Sequence, residues 1–498
     1  MTAYILLIAS VFLSVFGYLF KQMRLVLAGI SMIMMGAGCG LIFSMSPSIW
    51  GLLLVVVSLF QILNIARLVD GRLHSKYLKA AFFIGGARLL ALQLLLIGVD
   101  RLLDSSDAMD NALLRWFPVF QAIVAIVVFM TVLARLFASR PKNVKSFLSD
   151  RELPTLSVLV PARNEDQNLE ELLQTIIAND YPKLEMLVLD DCSTGKNISD
   201  VVKKFAKDGV RFIQGDAPKV SWLAKNQAYS ALASQASGEW LIFMGVDVRL
   251  GIGSLRGIIH YAINNNKEMI SVLPRRFNGA FWGGFFSPLR YFRELTKIGM
   301  RDRGVPALST AWLIKKGAYQ SLGGIESVAR KIIPEHYFAK HLTARKTYAF
   351  IRTNDYLQFA SAKELKEQIA TSVRVIYPSL HRRMEWMTLS VIAMFVFLFM
   401  PFVELINNVN NGQFGLGFFA SLVAVICLTS AHLLITTLTN PILWPLAVIN
   451  FPYLVIQEIV LSIVSMYRYE FGEIFWKGRN ICLPVMHVEP HLPPMSEN

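Results

Sequence analysis

Apolar and polar positions divide the chain into long hydrophobic runs at either end and a mixed stretch between them. Residues 3–20, 25–43, 49–66, 80–99 and 117–138 are apolar enough to form membrane helices. Each is about long enough to cross a hydrocarbon core of roughly 30 Å at about 1.5 Å per residue. The first run has no basic n-region and no small-residue cleavage site, so it reads as a retained helix rather than a removed signal. Runs 388–406, 414–438 and 442–466 return to that character. The pattern predicts an N-terminal membrane domain over 1–140 with about five helices and a soluble domain over 150–360. It then predicts an interfacial amphipathic helix over 361–386, a C-terminal membrane domain of two to three helices over 387–466, and a tail over 467–498.

Within the central stretch the period changes to short strands alternating with helices. Leu156 to Val160 is an apolar, β-branched run. It is followed by Leu169, Leu172, Leu173, Ile176 and Ile177 at helical spacing, then by the strand Leu184 to Leu189. Val201, Val202 and Phe205 mark another helix, and Val210 to Ile213 another short strand. Such alternation predicts parallel βαβ units with right-handed crossovers. Ligands in such sheets bind at the carboxyl ends of the strands, where Arg163, Asn164, Glu165, Asp190, Asp191 and Asp247 all fall.

Composition agrees with a membrane protein. The chain is 54% hydrophobic and 17% charged, with a mean hydropathy of +0.46. Soluble domains average about 25% charged residues, so a wholly water-soluble, disordered or fibrous chain is excluded. Lys and Arg number 49 against 35 Asp and Glu, a net charge of +14. In this setting the excess reads as the positive-inside signal and attraction to anionic head groups, not nucleic-acid binding. Basic residues cluster at Lys21 and Arg24, then at Arg67, Arg72, Lys76 and Lys79, then at Arg135, Arg140, Lys142 and Lys145. The intervening loop carries Asp100, Asp104, Asp107 and Asp110. This puts the N-terminus outside and the central domain on the cytoplasmic side of an inner (plasma) membrane. Three full C-terminal crossings would strand Lys477 and Arg479 outside, against their charge; Pro441, Pro445 and Pro452 leave a re-entrant piece open. Cys39, Cys192, Cys427 and Cys482 show neither disulfide nor zinc spacing.

Several strings together resemble the family 2 glycosyltransferases: Val160-Pro-Ala-Arg-Asn-Glu165, Asp180-Tyr-Pro182, Val188-Leu-Asp-Asp-Cys-Ser-Thr194, Gly238-Glu-Trp-Leu-Ile-Phe243 and Gly323-Gly324. Trp476-Lys-Gly-Arg479 and the C-terminal apolar runs look most like the branch of hopanoid-associated and carotenoid-acid glycosyltransferases. The resemblance covers about 153–480. It implies an α/β GT-A (Rossmann-like nucleotide-binding) domain inserted between N- and C-terminal transmembrane bundles, and an inverting transfer. The donor would be a nucleotide sugar, expected to be UDP-linked, and the acceptor a membrane lipid at the cytoplasmic face. It further implies that Asp190, Asp191 and Ser193 hold uracil and ribose, with Pro161, Ala162 and Glu165 as the other wall and Lys225 and Asn226 in the donor region. A helix N-cap is the plain alternative for Asp190 and Asp191.

The chain departs from the family in three places. The expected Asp-x-Asp reads Gly245-Val246-Asp247, leaving Asp247 as the expected ligand of Mg²⁺ or Mn²⁺, since Mg²⁺ often uses few carboxylates plus phosphates. The family's Glu-Asp base motif reads Glu335-His336, so His336, a competent base near neutrality, or Glu335 would activate the acceptor. The processive Gln-x-x-Arg-Trp motif is missing, which disfavours polymer synthesis. Ile369, Val373, Ile376, Tyr377 and Leu380 suit an interfacial helix. Phe281, Trp282, Phe285, Arg290 and Arg374 are expected at the membrane interface, where they either bind the lipid acceptor or simply anchor the chain. Two other classes stand beside the enzyme: a degenerate, non-catalytic scaffold or regulatory subunit working with a protein partner in a membrane complex, and a glycolipid transport component.

Overall fold

The computed structural model describes residues 2–19, 24–44, 112–141, 148–195, 197–219, 222–277, 281–297, 304–470 and 474–482, with scattered helical positions between 54 and 97. The chain forms two compact units, Met1–Ala122 with Asn408–Ser421, and Ile123–Asn407 with Leu422–Asn498. The expected third and fourth N-terminal helices fall largely outside the described residues, as do the acidic loop, Lys142, Lys145 and the tail beyond Cys482.

In the first unit, α1 (Thr2–Leu19) packs against α2 (Arg24–Ser44). Gly38 permits the approach, since a Cβ there would sit 2.8 Å from a Leu7 methyl. Buried Ser31 donates to the Ser10 carbonyl at 2.7 Å, Ser10 to Gln61 at 3.1 Å, and Gln93 to Ser58 at 3.0 Å. Such interhelical hydrogen bonds hold helices together where apolar contact alone gives no preference over lipid.

The second unit carries the end of α3 (Ala112–Ala138) and the mixed domain. In chain order the domain comprises β1 (Leu156–Ala162), α4 (Asp166–Ile177), β2 (Leu184–Asp190), α5 (Asn197–Lys204), β3 (Val210–Gln214), α6 (Ala224–Gln235), β4 (Trp240–Met244), β5 (Val248–Leu250), α7 (Ser254–Asn264), β6 (Met269–Leu273), β7 (Arg275–Arg276), α8 (Phe281–Phe285), α9 (Arg290–Thr296), β8 (Ala311–Lys315), α10 (Glu335–Ala344), β9 (Tyr348–Arg352) and β10 (Phe359–Ser361). Seven strands form one sheet in the order β3-β2-β1-β4-β8-β6-β9, with β8 antiparallel to both neighbours and the other pairs parallel. A smaller sheet, β5-β10-β7, lies beyond the ends of β4 and β6.

Alternation along the strands sends side chains to two cores. On one face Val158, Val160, Met186, Val188 and Ile242 pack under Leu172, Leu173 and Ile176 of α4 and Ile258 and Ile259 of α7. On the other, Leu159, Leu187, Leu241 and Phe243 meet Tyr229 and Leu232 of α6 and Phe338 of α10, with Phe243 stacked on Trp312 at 4.0 Å. Burial on both faces explains why the central strands read as unbroken apolar runs. The end of α3 is tied to this domain by Arg135, whose guanidinium donates to the carbonyls of Glu294, Lys297 and Gly304.

After the domain come α11 (Leu365–Ser379), α12 (Met384–Asn410, with a π turn at Met394–Phe399), α13 (Leu416–Thr439) and α14 (Ala447–Glu470). The hairpin β11 (Phe475–Trp476) and β12 (Arg479–Asn480) follows. Among the described residues five helices are long and apolar enough to cross a membrane, α14 included. Its contacts, however, keep α14 against the domain at both ends. Asn450 and Gln457 donate to the carbonyls of Phe285 and Phe286, Glu458 pairs with Arg293 at 2.9 Å, Ser465 donates to the Val373 carbonyl and Tyr469 to that of Arg374. Asn450, Glu458, Ser462, Ser465 and Tyr469 recur at about one-turn spacing and are all buried, so this helix turns a polar stripe inward. The stripe expected to lie in lipid on α11 is likewise covered: Val373, Ile376 and Tyr377 pack on Leu461 and Tyr469.

Candidate functional site

β1 and β2 end side by side, and their tips form the first edge. The Asp191 amide donates to the Ala162 carbonyl at 2.9 Å, holding the turn after β2 against β1. Asp190 accepts the Ser193 N–H at 3.0 Å, and Ser193 Oγ accepts that of Asn164 at 3.0 Å. Asn164 and Cys192 both adopt positive φ, near 51°, a conformation Asn tolerates better than most residues. Pro161 and Ala162 are backbone of β1 beneath this turn.

The hairpin from the far end of the chain closes this edge. Arg479 Nη1 meets Asp191 Oδ1 at 2.6 Å, and Lys477 Nζ meets Glu165 at 2.7 Å. Arg163 ties both parts together by donating to the carbonyls of Asp191 and Cys192 and, at 3.0 Å, to that of Lys477. Gly478, with φ of 79°, makes the turn between the two cations. Burial pushes the Asp191 carboxyl above its usual range, and Arg479 only partly offsets that. Burial likewise raises Glu165 against the pull of Lys477. Asp191 Oδ2 is buried without a partner. An orphaned buried acceptor is costly unless something completes it.

The second edge lies where β4 gives way to β5. Asp247 Oδ2 accepts Ser361 Oγ at 3.0 Å and lies 3.6 Å from Lys363 Nζ. Burial pushes this carboxyl up, but Lys363 and Ser361 outweigh it and hold it below the usual range. A cleft of about 400 Å³ opens here, lined by Asp247, Arg276, Arg290, Tyr291, Lys363 and Gln368 among others. Arg276 lies on the Tyr291 ring at 4.4 Å and donates to Ser287 and to the Pro288 carbonyl; Arg290 reaches Ser309 at 3.3 Å.

Between the edges, Lys225 at the start of α6 lies 5.3 Å from the Tyr229 ring. Burial lowers its ammonium to about 8, against the pull of the Glu335 carboxylate and with help from Lys363 and Arg374. Glu335 opens α10, is 1% exposed, and has one carboxylate oxygen without a partner. The next side chain turns elsewhere: His336 Nε2 donates to the Ala307 carbonyl at 2.9 Å and lies 3.6 Å from Glu294, itself paired with Lys297 at 2.6 Å. Glu294 is held well below the usual carboxylate range because Lys297 and His336 outweigh its burial. The Asn226 amide is committed to the chain itself, donating to the carbonyls of Val328, Ala329 and Lys331.

A second cavity of about 410 Å³ shares Arg276, Pro288 and Tyr291 with the first and runs on to His432, Asn440 and Asn450. Phe281 and Trp282 open α8, Phe285 packs edge-on to Phe286, and Arg374 faces the Trp476 ring at 5.8 Å. Burial lowers the Arg374 guanidinium to about 10.

The donor set does not suit the divalent cation expected at Asp247. Among the described residues no three His, Cys, Asp or Glu gather to hold a metal, and the one carboxylate at hand already faces an ammonium. Lys363 escaped the sequence reading altogether, because no local pattern separates it from an ordinary loop lysine. Lys477 and Arg479 were visible as part of the Trp476-Lys-Gly-Arg479 string, without their carboxylate partners, and Arg276 only as a basic residue.

This sheet, with its antiparallel β8 and polar strand tips, is the GT-A-like arrangement, and residues 157–323 match the family model described as Glycosyl transferase family 2. The chain therefore carries a family 2 glycosyltransferase domain. It is 25% identical over 230 residues to the 4,4'-diaponeurosporenoate glycosyltransferase of Staphylococcus aureus, strains bovine RF122 / ET3-1 and USA300 among them, a match covering 44% of this chain. The chain spans 59% of the length of those curated relatives. Among solved structures it is similar to the mannosyltransferase PcManGT of Pyrobaculum calidifontis in complex with GDP-Man and Mn²⁺, at 16% identity and a TM-score of 0.42 over 70% of this chain and 99% of that one. It is also similar to residues 1–349 of S. aureus TarS in complex with UDP, at 16% identity and a TM-score of 0.30 over 64% and 92%.

Proposed function

We propose that this protein is a membrane glycosyltransferase that moves a sugar from a nucleotide donor, UDP-linked by our reading, to a lipid acceptor by inverting displacement. The observation that carries the proposal is the buried carboxylate of Glu335, one oxygen of which has no partner, in the field of Lys225, on which Asp247 also acts. Asp191 reads the nucleoside, using the oxygen that Arg479 leaves without a partner. Glu335, not His336, takes the proton from the attacking acceptor oxygen as that oxygen bonds to the anomeric carbon and the nucleoside diphosphate departs. General-base assistance of this kind is worth about 10²–10⁴-fold. His336, with Nε2 spent on the Ala307 carbonyl, positions α10 against Glu294. The second cavity, which shares Arg276 and Tyr291 with the first, receives the lipid. The domain works at the cytoplasmic face of an inner membrane, where nucleotide sugars are available.

A non-catalytic subunit is the second reading, favoured by the Arg479 side chain already on Asp191. Purified full-length protein given UDP- and GDP-sugars with membrane lipid extract separates the two. Release of nucleoside diphosphate that depends on the extract is expected. Binding of a nucleotide sugar with no release under any lipid condition rejects the enzyme and leaves the subunit.

A further inference from the structure

Among the described residues Asp247 is the only carboxylate lining the first cleft, and Arg276, Arg290 and Lys363 line it too. Three cations face one anion there, a surplus that matches the diphosphate bridge of a nucleotide sugar, which is a dianion. A Mg²⁺ ion needs carboxylate oxygens at about 2.1 Å. On Asp247, Oδ2 is already taken by the Ser361 hydroxyl and the Lys363 ammonium. A Cβ at Gly245 would lie 2.6 Å from Asp247 Oδ1, closer than real contacts allow. A side chain at position 245 would therefore push against the Asp247 carboxylate in the rotamer that brings it to Lys363.

We propose that Lys363, oriented by Asp247 and Ser361, is the built-in counter-cation for the donor diphosphate, with Arg276 and Arg290 beside it, so that nucleotide binding needs no divalent metal. Asp247 acts here as a positioning residue, fixing the ammonium rather than a metal. The proposal rests on the glycosyltransferase reading and deepens it.

Calorimetry on the full-length protein tests it with uridine, UDP, guanosine and GDP, in EDTA and then in Mg²⁺ or Mn²⁺. The preferred diphosphate should bind in EDTA within about twofold of its affinity in metal. A charge-assisted contact is worth about 1.5–3 kcal/mol, so Lys363→Met should weaken the diphosphate by about tenfold or more while leaving the nucleoside nearly unchanged. Lys363→Arg should keep most of the affinity. With the ammonium gone, Mn²⁺ should recover part of the binding lost in Lys363→Met, because Asp247 is then free to ligate. Diphosphate binding abolished by EDTA while nucleoside binding persists overturns this proposal alone. Loss of nucleoside and diphosphate together in Lys363→Met also overturns it, since the residue would then be maintaining the pocket's fold. Binding of no nucleoside or nucleotide in any condition removes the proposal together with the glycosyltransferase reading.

Discussion

The two edges of the site each present an aspartate after a central strand, yet their chemistry diverges. Asp191 receives its cation from a hairpin 288 residues away and remains raised, with one oxygen unpartnered. Asp247 is held by the loop between β10 and α11 and is lowered, with Lys363 and Ser361 on the same oxygen. Side-chain exposures of 5% and 15% differ too little to account for this. The difference lies in how fully each carboxylate is partnered: Asp191 keeps one acceptor unsatisfied, as the proposed nucleoside contact requires, whereas Asp247 is satisfied by its neighbours.

The largest test of this contrast lies between the edges. Glu335→Gln should lower kcat by about 10²-fold or more, as loss of a general base does, with nucleotide affinity nearly intact by calorimetry. His336→Gln should cost only a few-fold. If the histidine variant loses turnover and the glutamate variant keeps it, the assignment reverses. Next in size, Asp191→Ala should weaken nucleoside binding by about 10²-fold and Arg479→Met by about tenfold, since the arginine acts through the carboxylate it orients. Tighter binding in Arg479→Met would show that the hairpin blocks the site rather than completing it.

The smallest effect concerns stability against pH. A lowered Asp247 contributes stability that is present above the unfolded carboxylate range and lost as pH falls through its folded value. A raised Asp191 does the reverse: its contribution is present at acid pH and lost as pH rises through its folded value. Thermal unfolding scanned from about pH 3 to 6 should therefore show less acid-side loss in Asp247→Asn, and less decline toward pH 6 in Asp191→Asn. Each kcal/mol corresponds to about 2–4 °C in a domain of this size. Identical profiles for the two variants would erase the distinction.

Local periodicity made β1 to β3 and the helices α4 and α5 legible, because strands buried on both faces and amphipathic helices carry their own signal in neighbouring residues. Asp190, Asp191 and Asp247 were legible as strand-end polar residues for the same reason. What local pattern could not show was pairing at a distance. Nothing around Arg479 points to Asp191, and nothing around Lys363 points to Asp247. Hydropathy read α14 as a membrane-length apolar helix, which its length and composition bear out, but gave no sign of its buried stripe of Asn450, Glu458, Ser462 and Ser465, which apolar residues on the other faces dilute. Asn226 illustrates the converse error: a polar residue at a ligand-facing helix start whose donors are consumed by the chain.

The hairpin also orders events during synthesis. Arg479 is translated 288 residues after its partner. At about 5–20 residues per second, Asp191 waits roughly 15–60 s for its counter-charge. During that interval the hydrophobic helices α12 and α13 leave the ribosome. The Arg479–Asp191 contact therefore closes this edge only after those helices have emerged, so the edge is among the last parts of the domain to be completed.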